Sequence, residues 1–144
     1  PYTLAHWKQG LYLFALDEDV GRVKTYAVDR FRAFSRTRGE AFAYPEDFDP
    51  QAMVRDCFGI IGGAVTDIVL RFGRSVTPYV RERVWHHSQR VESTGDGGVE
   101  VRLRVGISPE LETWILGFGP SVQVLEPVEL RDRIRRLHAE ASRL

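Results

Sequence analysis

Residues 99–107 constrain this chain more tightly than any other stretch. Val99, Val101, Leu103, Val105 and Ile107 alternate strictly with Glu100, Arg102, Arg104 and Gly106. A period of two over nine residues is the mark of a β-strand with one face buried and the other wet. The rest of the sequence must therefore supply partner strands beside it and helices over its apolar face.

The flanking segments read in that way. Residues 65–72 form a strand pattern with Ile68, Leu70 and Phe72 on one face, and Thr77-Pro78 opens a short helix to residue 84. A strand over 85–92 and a Gly-rich hairpin turn over 93–98 lead into the alternating strand. Ser108-Pro109 caps a helix whose apolar face is Leu111, Trp114, Ile115 and Phe118, closed by Gly117 and Gly119. A fourth strand spans 121–125. Pro127 begins a last helix with Leu130, Ile134, Leu137 and Ala141 on one side, and Glu129–Arg133 and Asp132–Arg136 are i,i+4 pairs on its solvated side. The order β-α-β-β-α-β plus a helix is the ferredoxin-like pattern.

The first half has a different rhythm. Strand patterns fall at 2–7, 11–16, 22–28 and 31–37, with turns at 8–10 and 17–21 and a break at Asp29-Arg30. Residues 40–49 read as a loop anchored by Phe42, Tyr44 and Phe48. Asp49-Pro50 then starts a helix through Met53, Val54, Cys57 and Phe58 that stops at Gly59. Residues 60–63, Ile-Ile-Gly-Gly, make the best domain boundary. The fold class is α+β, with domains at 1–59 and 64–144.

Several classes of function are excluded by composition and motif. At 43% hydrophobic and 28% charged residues the chain is a globular protein. No apolar run reaches the length of a membrane span, so no membrane role is expected. The one cysteine, Cys57, allows no internal disulfide and suits a reducing compartment, hence a cytoplasmic protein. No Gly-x-Ser-x-Gly elbow, P-loop or His-Glu-x-x-His helix is present, so an enzyme is not expected. His86-His87 would be a poor chelating pair on a strand, where neighbours point to opposite faces, and no metal or cofactor is expected. Net charge is zero, yet six cations (Arg22, Lys24, Arg30, Arg32, Arg36, Arg38) face a single acid, Asp29, over 22–38. Such a cluster suits phosphate, which arginine grips in a bidentate fashion.

A family resemblance covers nearly the whole chain. Leu11-Tyr12-Leu13 sits where the WYL domain of bacterial transcription regulators has Trp-Tyr-Leu. Lys24-Thr25-Tyr26-Ala27-Val28-Asp29-Arg30-Phe31 resembles the family's Arg-x-Phe-Arg-Leu-Asp-Arg-Ile run, and Pro1-Tyr2-Thr3-Leu4 resembles its Pro-Tyr-x-Leu lead. Leu11 and Ala27 depart from the family's Trp and Arg. His86-His87-Ser88-Gln89, Asp96-Gly97, the 110–119 helix and Leu125-Glu126-Pro127 fall in the order of the C-terminal extension that follows WYL domains.

The resemblance implies a small SH3-like (Sm-like) β-barrel in the first half, with its first strands upstream of Pro1. It also implies the ligand-sensing and dimerising part of a regulator whose N-terminal helix-turn-helix domain binds DNA. The effector would be single-stranded nucleic acid or a nucleotide, held at Tyr12, Lys24 and Arg30, and the protein would be a homodimer. Periodicity adds Arg71, on the non-core face of its strand with Arg102 and Arg104 on theirs, as a further phosphate-binding candidate. The competing expectation is a dimerisation or protein-interaction scaffold that senses nothing, with these cations merely solvated or paired to neighbouring acids.

Overall fold

The computed structural model describes residues 1–35, 38–39 and 41–143. It divides into two compact units, Pro1–Arg55 and Asp56–Leu144.

The first unit is an open antiparallel sheet in the order β1-β2-β3, built from β1 (Thr3–Trp7), β2 (Gly10–Asp17) and β3 (Arg22–Ala27). Its described strands do not close into a barrel. Tyr12 pairs with Ala27 and Ala15 with Lys24, without interruption of the register. Gly21 ends the 17–21 loop at a positive φ of 69°, a conformation that glycine adopts freely. The strand expected over 31–37 is absent from its described part: residues 28–30 form a single 3-10 turn and 31–35 are irregular. Arg36 and Thr37 lie outside the described residues. The aromatic loop has a focus the sequence did not reveal, since Tyr2 meets Phe48, Tyr44 and Phe42 with ring centroids 5.0, 5.6 and 6.1 Å away.

The helix expected to run to Phe58 is only α1 (Ala52–Arg55). Backbone bonding explains the early stop. The Asp56 carbonyl accepts from Gly106 N–H at 2.9 Å, and Cys57 forms a bridge with Gly106, so this stretch is drawn along a strand edge of the second unit. Glu110 completes the anchorage by accepting from the N–H groups of Ile60 and Ile61 at 2.9 and 3.0 Å.

The second unit contains β4 (Val65–Phe72), α2 (Thr77–Arg81), β5 (Arg90–Ser93), β6 (Val99–Gly106), α3 (Pro109–Leu116), β7 (Val122–Glu126) and α4 (Val128–Ala141). The strands lie in the order β5-β6-β4-β7, all antiparallel, so β4 and the alternating strand β6 are central. Ile68, Leu70 and Phe72 of β4 and Val99, Val101 and Val105 of β6 are fully buried against Leu111 and Ile115 of α3 and Leu130 of α4. Such close packing of large side chains is the main source of the unit's stability. Ser108 caps α3 as expected, its Oγ accepting from Leu111 N–H at 3.3 Å.

Three local expectations change. The strand expected over 85–92 begins only at Arg90, because the Gln89 side chain ties Trp85 N–H and the Arg83 carbonyl into a turn. His86 and His87 therefore do not point apart: their rings sit 4.1 Å from centroid to centroid. On α4, Arg133 pairs across to Glu112 of α3 rather than along its own helix to Glu129. Glu112 is 7% exposed, so its carboxylate draws the guanidinium inward.

Candidate functional site

The cations of the first unit are placed by strand alternation. Because side chains alternate in direction along a strand, residues paired in register share a face. Tyr12, with Ala27, lies on one face of the sheet. Lys24 and Tyr26 project from the other, with Ala15, Leu13 and Asp17. Tyr12 and Lys24 are thus on opposite sides of the sheet.

On the Lys24 face the hairpin brings together a compact polar group. Lys24 Nζ donates to Asp17 Oδ2 at 2.6 Å, and the Tyr26 hydroxyl donates to the same oxygen at 3.0 Å. The Lys24 hydrogen bond, followed by that of Tyr26, lowers the Asp17 pKa below the ordinary carboxylate value. The same contact raises the Tyr26 phenol above its ordinary value, because ionising beside a carboxylate is unfavourable. Asp17 and Tyr26 escaped the sequence reading, although both lie within the hairpin. Their convergence depends on which residues pair, and a loop of this length leaves that open. Arg30, at the end of the 3-10 turn, is exposed and makes no ion pair among the described residues.

Arg71 belongs to a separate group in the second unit. Its Nη2 donates to Asp96 Oδ2 at 2.6 Å, which fastens β4 to the 94–98 turn. The Asp96 carboxyl is held well below the usual carboxylate range, first by the Thr94 hydroxyl, then by Arg71 and the Gly98 N–H.

The helix-free face of the β5-β6-β4-β7 sheet carries a depression of about 560 Å³. Asp67, Val69, Arg90, Arg102, Arg104 and Glu126 contribute to its lining. Arg90 stands directly opposite Arg102 in the ladder. Sequence reasoning had Arg102 and Arg104 on this face and missed Arg90, whose partner is fixed only by the β5–β6 register. Among the described residues no group of three or more His, Cys, Asp or Glu side chains gathers as a metal site would require. No described helix is long and apolar enough to cross a membrane.

Comparison with known proteins places these units. The WCX domain model matches residues 64–142, and the WYL domain model matches residues 1–35. No curated protein matches the chain. Among solved structures, proteasome accessory factor B/C (PafBC) of Arthrobacter aurescens aligns with 99% of this chain at 22% identity and a TM-score of 0.43. The aligned part is 22% of the PafBC chain, so the present chain spans under a quarter of that protein.

Proposed function

Because the chain belongs to the WCX domain family and carries a WYL domain match ahead of that domain, we propose that it is the ligand-sensing and dimerising region of a bacterial transcriptional regulator. The observation that carries this reading is the order of the two matches along one chain. The open sheet β1-β2-β3 is read as part of an SH3-like (Sm-like) barrel. The order β5-β6-β4-β7 supports a ferredoxin-like second unit with α4 added. The region works by binding and not by catalysis, in the cytoplasm, as part of a homodimer.

The effector is nucleic-acid-like, a single strand or a nucleotide, and its phosphates are met by Lys24 of the first sheet and by Arg30 of the turn that follows β3. Tyr26, on the same face as Lys24, takes the aromatic role that sequence resemblance assigns to Tyr12. Lys24 is held by Asp17, so an incoming phosphate competes with that carboxylate for the ammonium group. Effector binding then shifts the dimer towards one arrangement of the DNA-binding helix-turn-helix domains, by differential affinity for the two states. Fluorescence anisotropy of a labelled single-stranded oligonucleotide tests this reading. Salt-sensitive binding that Arg30→Ala abolishes supports it, whereas absence of binding at low salt rejects it.

The scaffold reading rests on one specific observation: Tyr12 and Lys24 lie on opposite faces, and Lys24 is already paired. A chain that dimerises in sedimentation equilibrium yet binds no oligonucleotide or nucleotide would favour the scaffold.

A further inference from the structure

The open face of the second sheet presents an arrangement that the fold itself does not reward. Arg90 and Arg102 are direct cross-strand neighbours, so their Cβ atoms are about 5 Å apart, and like charges so placed repel. Arg104 lies two residues further along β6 on the same face, about 7 Å on. All three line the depression of about 560 Å³, a volume within the range of small-molecule sites.

The local acids only partly offset these cations. Arg102 is paired with Glu100, its neighbour on the same strand face. Arg104 reaches Asp67 only at 3.6 Å, too long for a hydrogen bond. Arg90 has no ion-pair partner among the described residues. Other polar groups nearby are committed to the fold. The Ser88 hydroxyl accepts from Arg104 N–H at 2.8 Å and donates to its carbonyl at 3.3 Å, and the Gln89 amide is spent on Trp85 and Arg83. The depression therefore offers a ligand guanidinium donors over a floor that includes the apolar Val69, and an entering anion must outcompete the carboxylates of Asp67 and Glu126 in the same lining.

We propose that Arg90, Arg102 and Arg104 form a binding site for the phosphoryl group of a small phosphate compound on the open face of the second unit. A dianionic phosphate supplies the negative charge that Arg90 lacks, and its oxygens match the forked geometry of arginine. Nucleoside monophosphates and pyrophosphate share this chemistry. The site uses no residue of the first sheet, so it stands or falls apart from the effector reading above.

Isothermal titration calorimetry of the whole chain at low ionic strength tests it, with pyrophosphate and adenosine 5′-monophosphate as separate probes. Binding is expected for both, and Arg90→Gln is expected to weaken it about tenfold or more, the worth of one charge-assisted contact. Arg136→Gln, an exposed arginine on α4, controls for general loss of charge. Tighter binding of the nucleotide than of pyrophosphate assigns the site to nucleoside phosphates, and equal or weaker binding assigns it to the inorganic ion. Arg104→Gln serves as a second variant should Arg90→Gln fail to fold. No heat from either probe, or affinity unchanged in the arginine variants, overturns the proposal.

Discussion

Replacing Glu110 with alanine should loosen residues 59–61 from α3 at a cost that the structure lets one work out. A single oxygen, Oε2, accepts from both Ile60 and Ile61 N–H. Ile60 is 2% exposed, so its N–H would be left without solvent as a substitute. A buried donor orphaned in this way costs about 1–3 kcal/mol, and loss of an acid from the first turn of α3 adds about 0.3–1 kcal/mol. Ile61 is more exposed, and water replaces most of its bond. The expected total is about 1–4 kcal/mol, a large share of a marginal stability of about 5–15 kcal/mol. Glu110→Gln should cost only about 1 kcal/mol, since an amide oxygen can accept both bonds without the charge. Gly59 makes the same point from the other side. A Cβ there would run into the Glu110 carboxylate and push it from its place. Gly59→Ala and Glu110→Ala should therefore be strongly non-additive, with a coupling of about 1–2 kcal/mol. Urea unfolding followed by tryptophan fluorescence reads the parent and the four variants, because Trp85 and Trp114 pack on the core of this unit. A Glu110→Ala variant within about 0.5 kcal/mol of the parent, the ordinary range of surface substitutions, would refute the reasoning.

Three further outcomes follow from the same geometry. The Asp96 carboxyl titrates below its ordinary value of 3.8, so its contribution to stability is complete above that pH and is lost as pH falls through the lower folded value. Melting temperature should drop on acidification below 3.8, and Asp96→Asn should flatten that part of the profile. Burial, then the charges of Glu110 and Asp56, push the Cys57 thiol above its ordinary value; it should react with a thiol reagent at neutral pH far more slowly than a free cysteine, and equal rates would contradict the burial. Arg133→Ala leaves the Glu112 carboxylate without its partner across α3 and α4 and should cost about 1–2 kcal/mol in urea unfolding, between an exposed pair and a buried one.

The elements that the sequence disclosed best were those whose pattern is local. Most of the 99–107 alternation became β6, with Val99, Val101, Leu103 and Val105 buried and Ile107 half-buried just beyond the strand, and Ser108-Pro109 capped α3. Failures arose where a distant residue competed for the backbone. The 50–58 helix was shortened because Asp56 and Cys57 pair with Gly106, some fifty positions away. The 85–89 stretch turned because Gln89 bonds back to Arg83 and Trp85. The candidate binding residues show a subtler limit. Tyr12, Lys24 and Arg30 were grouped by motif, and composition could not say that register would set Tyr12 and Lys24 on opposite faces. The same register gathered Asp17 and Tyr26 around Lys24, and placed Arg90 opposite Arg102, partnerships that no local pattern announces.

Sensing of a phosphate-bearing effector by Lys24, Tyr26 and Arg30 can be watched residue by residue in a nuclear magnetic resonance titration. The ¹⁵N-labelled chain would be titrated with a short single-stranded oligonucleotide at low salt. Shifts centred on Lys24, Tyr26 and Arg30 are expected, diminished in Arg30→Ala and reversed by added salt. Spectra that stay unchanged throughout, or shifts confined to the second unit, would contradict it.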